Sequence, residues 1–217
     1  MNKPLPDPSK PAGDGLARHA SPGDAGGIDL DHVQRLAGQA KAGDQAAFGE
    51  LVKMYHTRVY GLVYRMVNNA EDAKELEQLT WVKAWNRLSS YKEEARFFTW
   101  LYRVAVNTAM DFLRQRSRQK EVELNDEIHG EPAIGAEKAA SVTSSPDRDL
   151  EHDEIRRAFH EALEDLTPEH KAALILREVE GRSYKEISEI TKSRVGTVMS
   201  RIFYARKSLQ EKMKGLR

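Results

Sequence analysis

Apolar positions in this chain recur at helical spacing in separate stretches, and nowhere do they alternate as a half-buried strand requires. From Asp44 onward, Phe48, Leu51, Val52, Tyr55, Val59, Leu62, Val63 and Met66 fall on one face, with Asp44 placed as an N-cap. A second helix is predicted from about Asn69, with Asp72 in its first turn; it runs through Leu76, Thr80, Trp81, Ala84, Trp85 and Leu88 to Ser89-Ser90. A third starts near Phe98 and places Leu101, Val104, Ala105, Thr108 and Phe112 on one side. Residues 117–149 lose the periodicity and contain Gly130, Pro132, Gly135 and a Ser/Thr cluster ending at Pro146, which predicts a linker. The pattern resumes with Leu150, Ile155, Ala158, Phe159, Ala162, Leu163 and Leu166. Thr167-Pro168 caps and starts the next helix, which runs to Val179, and Gly181 supplies its stop. Ser183 and Glu186 form a capping box for a short helix to about Thr191, and a long helix covers roughly 195–212.

The first 27 residues are rich in Pro and Gly and nearly free of apolar side chains, so they are expected to stay disordered. The predicted order is a disordered tail, a three-helix domain, an acidic linker and a four-helix domain. The fold class is all-α: two helical domains joined by a flexible acidic linker, the C-terminal one a helix-turn-helix.

Composition changes this picture in two ways. The mean hydropathy of −0.66 and the absence of any long apolar run exclude a membrane span, and the N-terminus lacks the apolar core of a secretory signal, so the expected location is cytoplasmic. Zero cysteines exclude disulfides and thiolate chemistry, and with no close histidine pair no metal site or cofactor is expected. The net charge is +0, but residues 44–120 hold 13 basic against 9 acidic side chains, residues 121–169 hold 4 against 15, and residues 170–217 hold 12 against 5. Two basic blocks flanking an acidic one suggest two anion-binding modules; solvated surface charge is the other reading.

The last 35 or so residues place a short capped helix, a polar turn and a longer helix at helix-turn-helix spacing, with Ser188 as the small residue inside the first helix and Ile187 and Val198 beneath the crossing. The second helix opens with Arg194, Val195, Gly196 and Thr197 and continues with Ser200, Arg201, Arg206 and Lys207. Small polar groups leading and cations following suit a major groove, although a helical hairpin with a solvated basic face has the same pattern. In the first domain, Phe97, Phe98, Trp100 and Tyr102 precede or accompany Arg103, Asn107, Arg114, Arg116, Arg118 and Lys120. Rings beside cations suit single-stranded DNA, whereas Phe98 and Trp100 taken singly read as core residues.

The segment from Asp72 to Trp85, Asp-Ala-Lys-Glu-Leu-Glu-Gln-Leu-Thr-Trp-Val-Lys-Ala-Trp, followed by Tyr91 to Asp111, resembles the second region of extracytoplasmic-function sigma factors of the sigma-70 family. Leu166-Thr-Pro, Gly181-Arg-Ser-Tyr-Lys-Glu-Ile187, Gly196-Thr-Val-Met-Ser-Arg201 and Ala205-Arg206 resemble the fourth region. The resemblance divides the chain into residues 40–118, a linker at 119–149, and residues 150–213.

This resemblance implies a bacterial transcription initiation factor that binds core RNA polymerase and promoter DNA and is not an enzyme. Its core-polymerase contacts would be Asp72, Glu75, Gln78 and Leu79. The loop from Ser90 to Arg96 would capture a flipped base of the minus-ten element, with Tyr91, Lys92, Arg96, Phe98, Trp100, Arg103, Asn107 and Arg114 as the minus-ten contacts. Ser183, Tyr184, Arg194, Gly196, Thr197, Ser200, Arg201 and Arg206 would serve the minus-thirty-five element. The linker would thread the channel that RNA later occupies. An inhibitory anti-sigma factor is a further partner of many family members, and the free protein is expected to be monomeric.

Three residues depart from the family pattern. Leu79 stands where an acidic residue is usual, Lys192 where the turn usually has glycine, and Met199 where lysine is frequent. The competing function is a helix-turn-helix regulator that never joins the polymerase. An all-helical first domain with an aromatic and basic face, and no α/β receiver or ligand pocket, argues against it.

Overall fold

The computed structural model describes residues 29–92, 96–127 and 162–214. The predicted tail at 1–27, the stretch 128–149 of the linker and the start of the predicted helix at Leu150 lie outside them. The described residues form α1 (Leu30–Lys41), α2 (Gln45–Val67), α3 (Ala70–Asn86), a 3₁₀ turn (Leu88–Ser90), α4 (Phe97–Glu127), α5 (Pro168–Glu178), α6 (Tyr184–Thr191) and α7 (Val195–Met213). Among them there is no strand, and no helix is long and apolar enough to cross a membrane.

The first module has four helices rather than the three expected, because α1 precedes the stretch where the strong pattern begins. Asp29 caps it by accepting from the Asp31 amide at 3.0 Å, and Val33, Leu36, Ala37 and Ala40 are buried, chiefly against α2. Gly43, at φ 103°, makes the turn into α2, whose first amides are held by the Asp44 carboxylate. Asn68 closes α2 in the left-handed region and Asn69 opens α3, its side chain accepting from the Glu71 and Asp72 amides. Both are residue types that tolerate or prefer these positions.

A second correction concerns α4, which was expected to give way to linker at residues 117–119 and instead continues to Glu127. Residues 114–119 are exposed, so no burial pattern marks them. They are Arg, Gln and Ser without Gly or Pro, and good helix formers continue a helix whose packed half has already nucleated it.

Local signals in the second module are obeyed closely. Thr167 caps α5 with Pro168 behind it, Gly181 turns at φ 63°, and both halves of the Ser183–Glu186 capping box are formed. The two modules are packed together. The apolar core runs without a break from Val33 through Leu62, Leu101 and Val106 into Ala172, Leu176, Ile187 and Ile202, and α4 lies directly against α6.

Candidate nucleic-acid and polymerase interface

Three surfaces carry the residues singled out in the sequence. The first is the outer face of α3. Leu76, Thr80 and Ala84 are buried, so Glu75, Gln78 and Leu79 point outward and are exposed. Val82 continues this face as an apolar side chain 57% exposed, so the polar surface has an apolar seam that Leu79 shares. Asp72 differs: its carboxylate accepts from Arg116 of α4 at 3.2 Å, which ties it to the neighbouring helix.

The second surface is the start of α4 with the loop before it. Glu93 to Ala95 of that loop lie outside the described residues. Tyr91, Phe98 and Trp100 are buried, as are Phe97 and Tyr102. Tyr91 meets Phe97 edge-on at 5.6 Å between ring centres and lies the same distance from Trp100, and its hydroxyl donates to Gln34 of α1 at 2.8 Å. In this conformation the rings therefore pack inside the first module. Lys92 and Arg96 are exposed. Between α1, α2 and the start of α4 lies a small cavity of about 50 Å³, lined by Leu30, Val33, Gln34, Tyr55, Arg96 and Phe97 among others.

Two cations of α4, Arg103 and Arg114, face the second module. Arg103 donates from Nε to the Glu189 carbonyl at 3.0 Å, and Arg114 donates to the Glu169 carboxylate and to Asp111. Burial pushes the Glu169 carboxyl up, but the hydrogen bond and charge of Arg114, aided by Arg201, outweigh it and leave the group below the ordinary carboxylate range. The same hydrogen bond raises Arg114. Asn107 is half-buried on this side of the helix.

A cluster that the sequence reading did not single out closes the junction. Glu180 accepts from Arg65 of α2 at 3.0 Å and from the Tyr102 hydroxyl of α4 at 2.9 Å. Burial, then the Glu180 charge and hydrogen bond, hold the Tyr102 hydroxyl far above its ordinary value, so it stays a donor. Arg182 is 1% exposed; its guanidinium lies 3.9 Å from the Phe98 ring centre and 5.6 Å from that of Tyr102. Its carboxylate neighbour is Glu186, at 3.6 Å. None of its three side-chain nitrogens makes a hydrogen bond. The only sequence signal for this cluster is an Arg beside Gly181, which does not reveal its ring partners, Phe98 and Tyr102, because they lie some 80 residues away.

The third surface is the helix-turn-helix of α6 and α7. Ser188 donates from Oγ to the Ser193 carbonyl at 2.6 Å, closing the turn that its small size permits. Lys192 sits at φ 52°, the left-handed conformation that favours glycine. Val198, Ile202 and Ala205 bury one side of α7, leaving Arg194, Gly196, Thr197, Met199 and Ser200 exposed on its first turns. Arg201 donates to Ser193 Oγ and Arg206 to Glu178, while Ser183 is occupied by its capping box and Tyr184 lies under Arg177. Among the described residues no group of three His, Cys, Asp or Glu is placed to hold a metal ion.

Comparison with known proteins adds independent lines. Residues 51–119 match the family description "Sigma-70 region 2" and residues 156–209 match "Sigma-70, region 4". The chain is 35% identical over 191 residues to the RNA polymerase sigma-H factor of Pseudomonas aeruginosa, covering 87% of this chain and 97% of that protein. It is 36% identical over 183 residues to the ECF RNA polymerase sigma-E factor of Escherichia coli, covering 84% and 95%. Two solved structures share the fold. One is CnrH in complex with the cytosolic domain of CnrY, with TM-score 0.58 and 21% identity over 85% of this chain and 99% of that one. The other is the sigma factor RpoE in complex with the anti-sigma factor NepR from Bartonella quintana, with TM-score 0.56 and 24% identity over 77% and 96%. Two sigma-70 regions in order, joined by relatives matched over nearly their whole length, show that the chain belongs to the extracytoplasmic-function group of RNA polymerase sigma factors.

Proposed function

We propose that this protein joins core RNA polymerase in the cytoplasm and directs it to promoters whose two elements are read by its two modules. The outer face of α3, with Glu75, Gln78 and Leu79, docks on the polymerase. The loop at 90–96 captures a base unstacked from the minus-ten element, and Arg103, Asn107 and Arg114 of α4 hold the strand beside it. The helix-turn-helix meets the duplex minus-thirty-five element, with Arg194, Gly196, Thr197 and Ser200 toward the bases. No step of this role needs a catalytic group. The observation that carries the reading is the first turn of α7, capped by no side chain and exposed from Arg194 to Thr197, on a turn fixed by Ser188 and Ser193.

Run-off transcription with purified core polymerase on genomic fragments tests it. Discrete transcripts that require this protein are expected, and Glu75→Ala with Gln78→Ala should weaken retention of core enzyme. Retention that survives both substitutions and removal of the whole first module would overturn the assignment. In this structure Arg103 and Arg114 are engaged by the second module, so gripping the melted strand requires those contacts to be given up.

A further inference from the structure

The apolar side chains of α7 form two separate sets. Val198, Ile202 and Ala205 are buried and hold the helix to its module. Val195, Met199 and Phe203 follow one another at four-residue intervals and are 42%, 45% and 55% exposed, with Tyr204 beside Phe203 at 5.5 Å between ring centres. This second set begins at the first residue of the helix, the end that a helix-turn-helix presents to a groove. It spans about 12 Å, or three to four base-pair steps.

What this set faces is indicated by the charge around it. From Lys192 to Gln210 the chain has five basic residues, Lys192, Arg194, Arg201, Arg206 and Lys207, and no acidic one. An apolar seam whose only charged neighbours on its own helix from Val195 to Gln210 are cations suits a polyanion that offers apolar groups between its charges. Among the base edges of the major groove, that group is the C5 methyl of thymine. Gly196 adds to the fit, because the space where its side chain would stand is open and lets a groove wall approach.

We infer that Met199 and Phe203, with Val195, read thymine methyl groups in the upstream promoter element, so that this protein specifies that element largely by apolar contact. The inference rests on the reading of α6 and α7 as the upstream-element reader. Met199, which removes a cation from the outer face, thereby acts as a specificity residue. The reader's hydrogen-bonding side chains are then left to Arg194, Thr197 and Ser200.

The experiment uses the full chain assembled with purified core polymerase and a duplex library randomised over the upstream positions. Enriched duplexes are then remade with each thymine singly replaced by deoxyuridine, which removes the methyl and leaves every hydrogen-bonding group. Enrichment of consecutive thymines on either strand is expected, with about fourfold weaker binding per methyl at the positions facing Met199 and Phe203. In the Met199→Ala, Phe203→Ala variant that penalty should shrink toward none; the single Met199→Ala variant gives the same comparison at one position should the pair prove unstable. An enriched element whose deoxyuridine forms bind equally well overturns this inference alone, and assigns the exposed seam to a protein partner. A library from which no upstream sequence is enriched overturns both the inference and the reading beneath it.

Discussion

The two helices assigned to DNA, α4 and α7, are built from similar residue types and present them in opposite ways. On α4 the aromatics are inside: Phe97, Phe98, Trp100 and Tyr102 are all buried, and the cations Arg103 and Arg114 are engaged by the second module. On α7 the aromatics Phe203 and Tyr204 stand in solvent, and the opening turn with Arg194 is exposed. On the proposed reading, the duplex reader is therefore exposed while the α4 cations proposed to hold melted DNA are engaged by the same chain. A reader of closed duplex can act first, and a grip on unpaired strand becomes useful only after the modules separate.

The sharpest test of the contrast replaces one ring on each helix. Trp100→Ala should cost about 3–5 kcal/mol of stability in urea or thermal unfolding, since it empties a site packed against Tyr91 and Phe97. Tyr204→Ala should stay within about 0.5 kcal/mol of the parent, as exposed substitutions do. Equal losses from the two would remove the distinction between a supporting ring and a presented one.

The cover over α4 is probed next at Glu180. Glu180→Ala takes the acceptor from the buried Tyr102 hydroxyl and the partner from Arg65, which should weaken docking of the modules by about 1–3 kcal/mol. Amide exchange in α6 should speed up accordingly, and single-stranded minus-ten DNA should bind more tightly. Unchanged exchange in α6 would show that the apolar contacts alone hold the junction.

A smaller effect separates strain from function in the reader. Lys192→Gly should raise the stability of the second module by about 1 kcal/mol, because a left-handed backbone costs a side-chain-bearing residue about that much. The gain should appear in the unfolding midpoint without changing which upstream sequence is preferred. Loss of stability would mean that the lysine side chain contributes more than its backbone costs.

The smallest effect expected is the pH response of the Arg114–Glu169 pair, both partners of which are partly exposed, so about 0.2–1 kcal/mol is at stake. The Glu169 carboxyl is lowered in the folded protein relative to 4.5, so its contribution is present above that pH and is lost as the pH falls through the lower folded value. Docking followed by α6 exchange should loosen on that acid side, and Glu169→Gln should remove this part of the dependence. A response centred near neutrality would point to a different group.

What could be read in advance was what depends on near neighbours. Asp44, Thr167, the Ser183–Glu186 box and Gly181 mark helix ends through bonds made within a few residues, and all appear where expected. Helix α1 was legible too: Val33, Leu36, Ala37 and Ala40 recur at i, i+3, i+4 and i+7, a stripe obscured only because it follows directly on the Pro- and Gly-rich start of the chain. The extension of α4 escaped because an exposed charged helix has no periodicity to show. Of the candidate site, the outward positions on α3 and α7 follow from helical spacing alone. The union of Arg65, Tyr102, Glu180 and Arg182 does not, since it exists only once two modules distant in sequence have met.

Arg182 gives that union a thermodynamic character of its own. Enclosing a guanidinium away from water costs several kcal/mol, and here the compensation is two ring faces and a carboxylate 3.6 Å away, with no hydrogen bond from the guanidinium. Undocking rehydrates the cation and recovers that cost, so the charge acts as a counterweight to the apolar contacts around it. Its burial thereby narrows the free-energy gap between docked and undocked forms. To invert a 99:1 population, a polymerase or promoter then has to favour the undocked form by only about 5.5 kcal/mol, a differential well within the binding energy of a large interface.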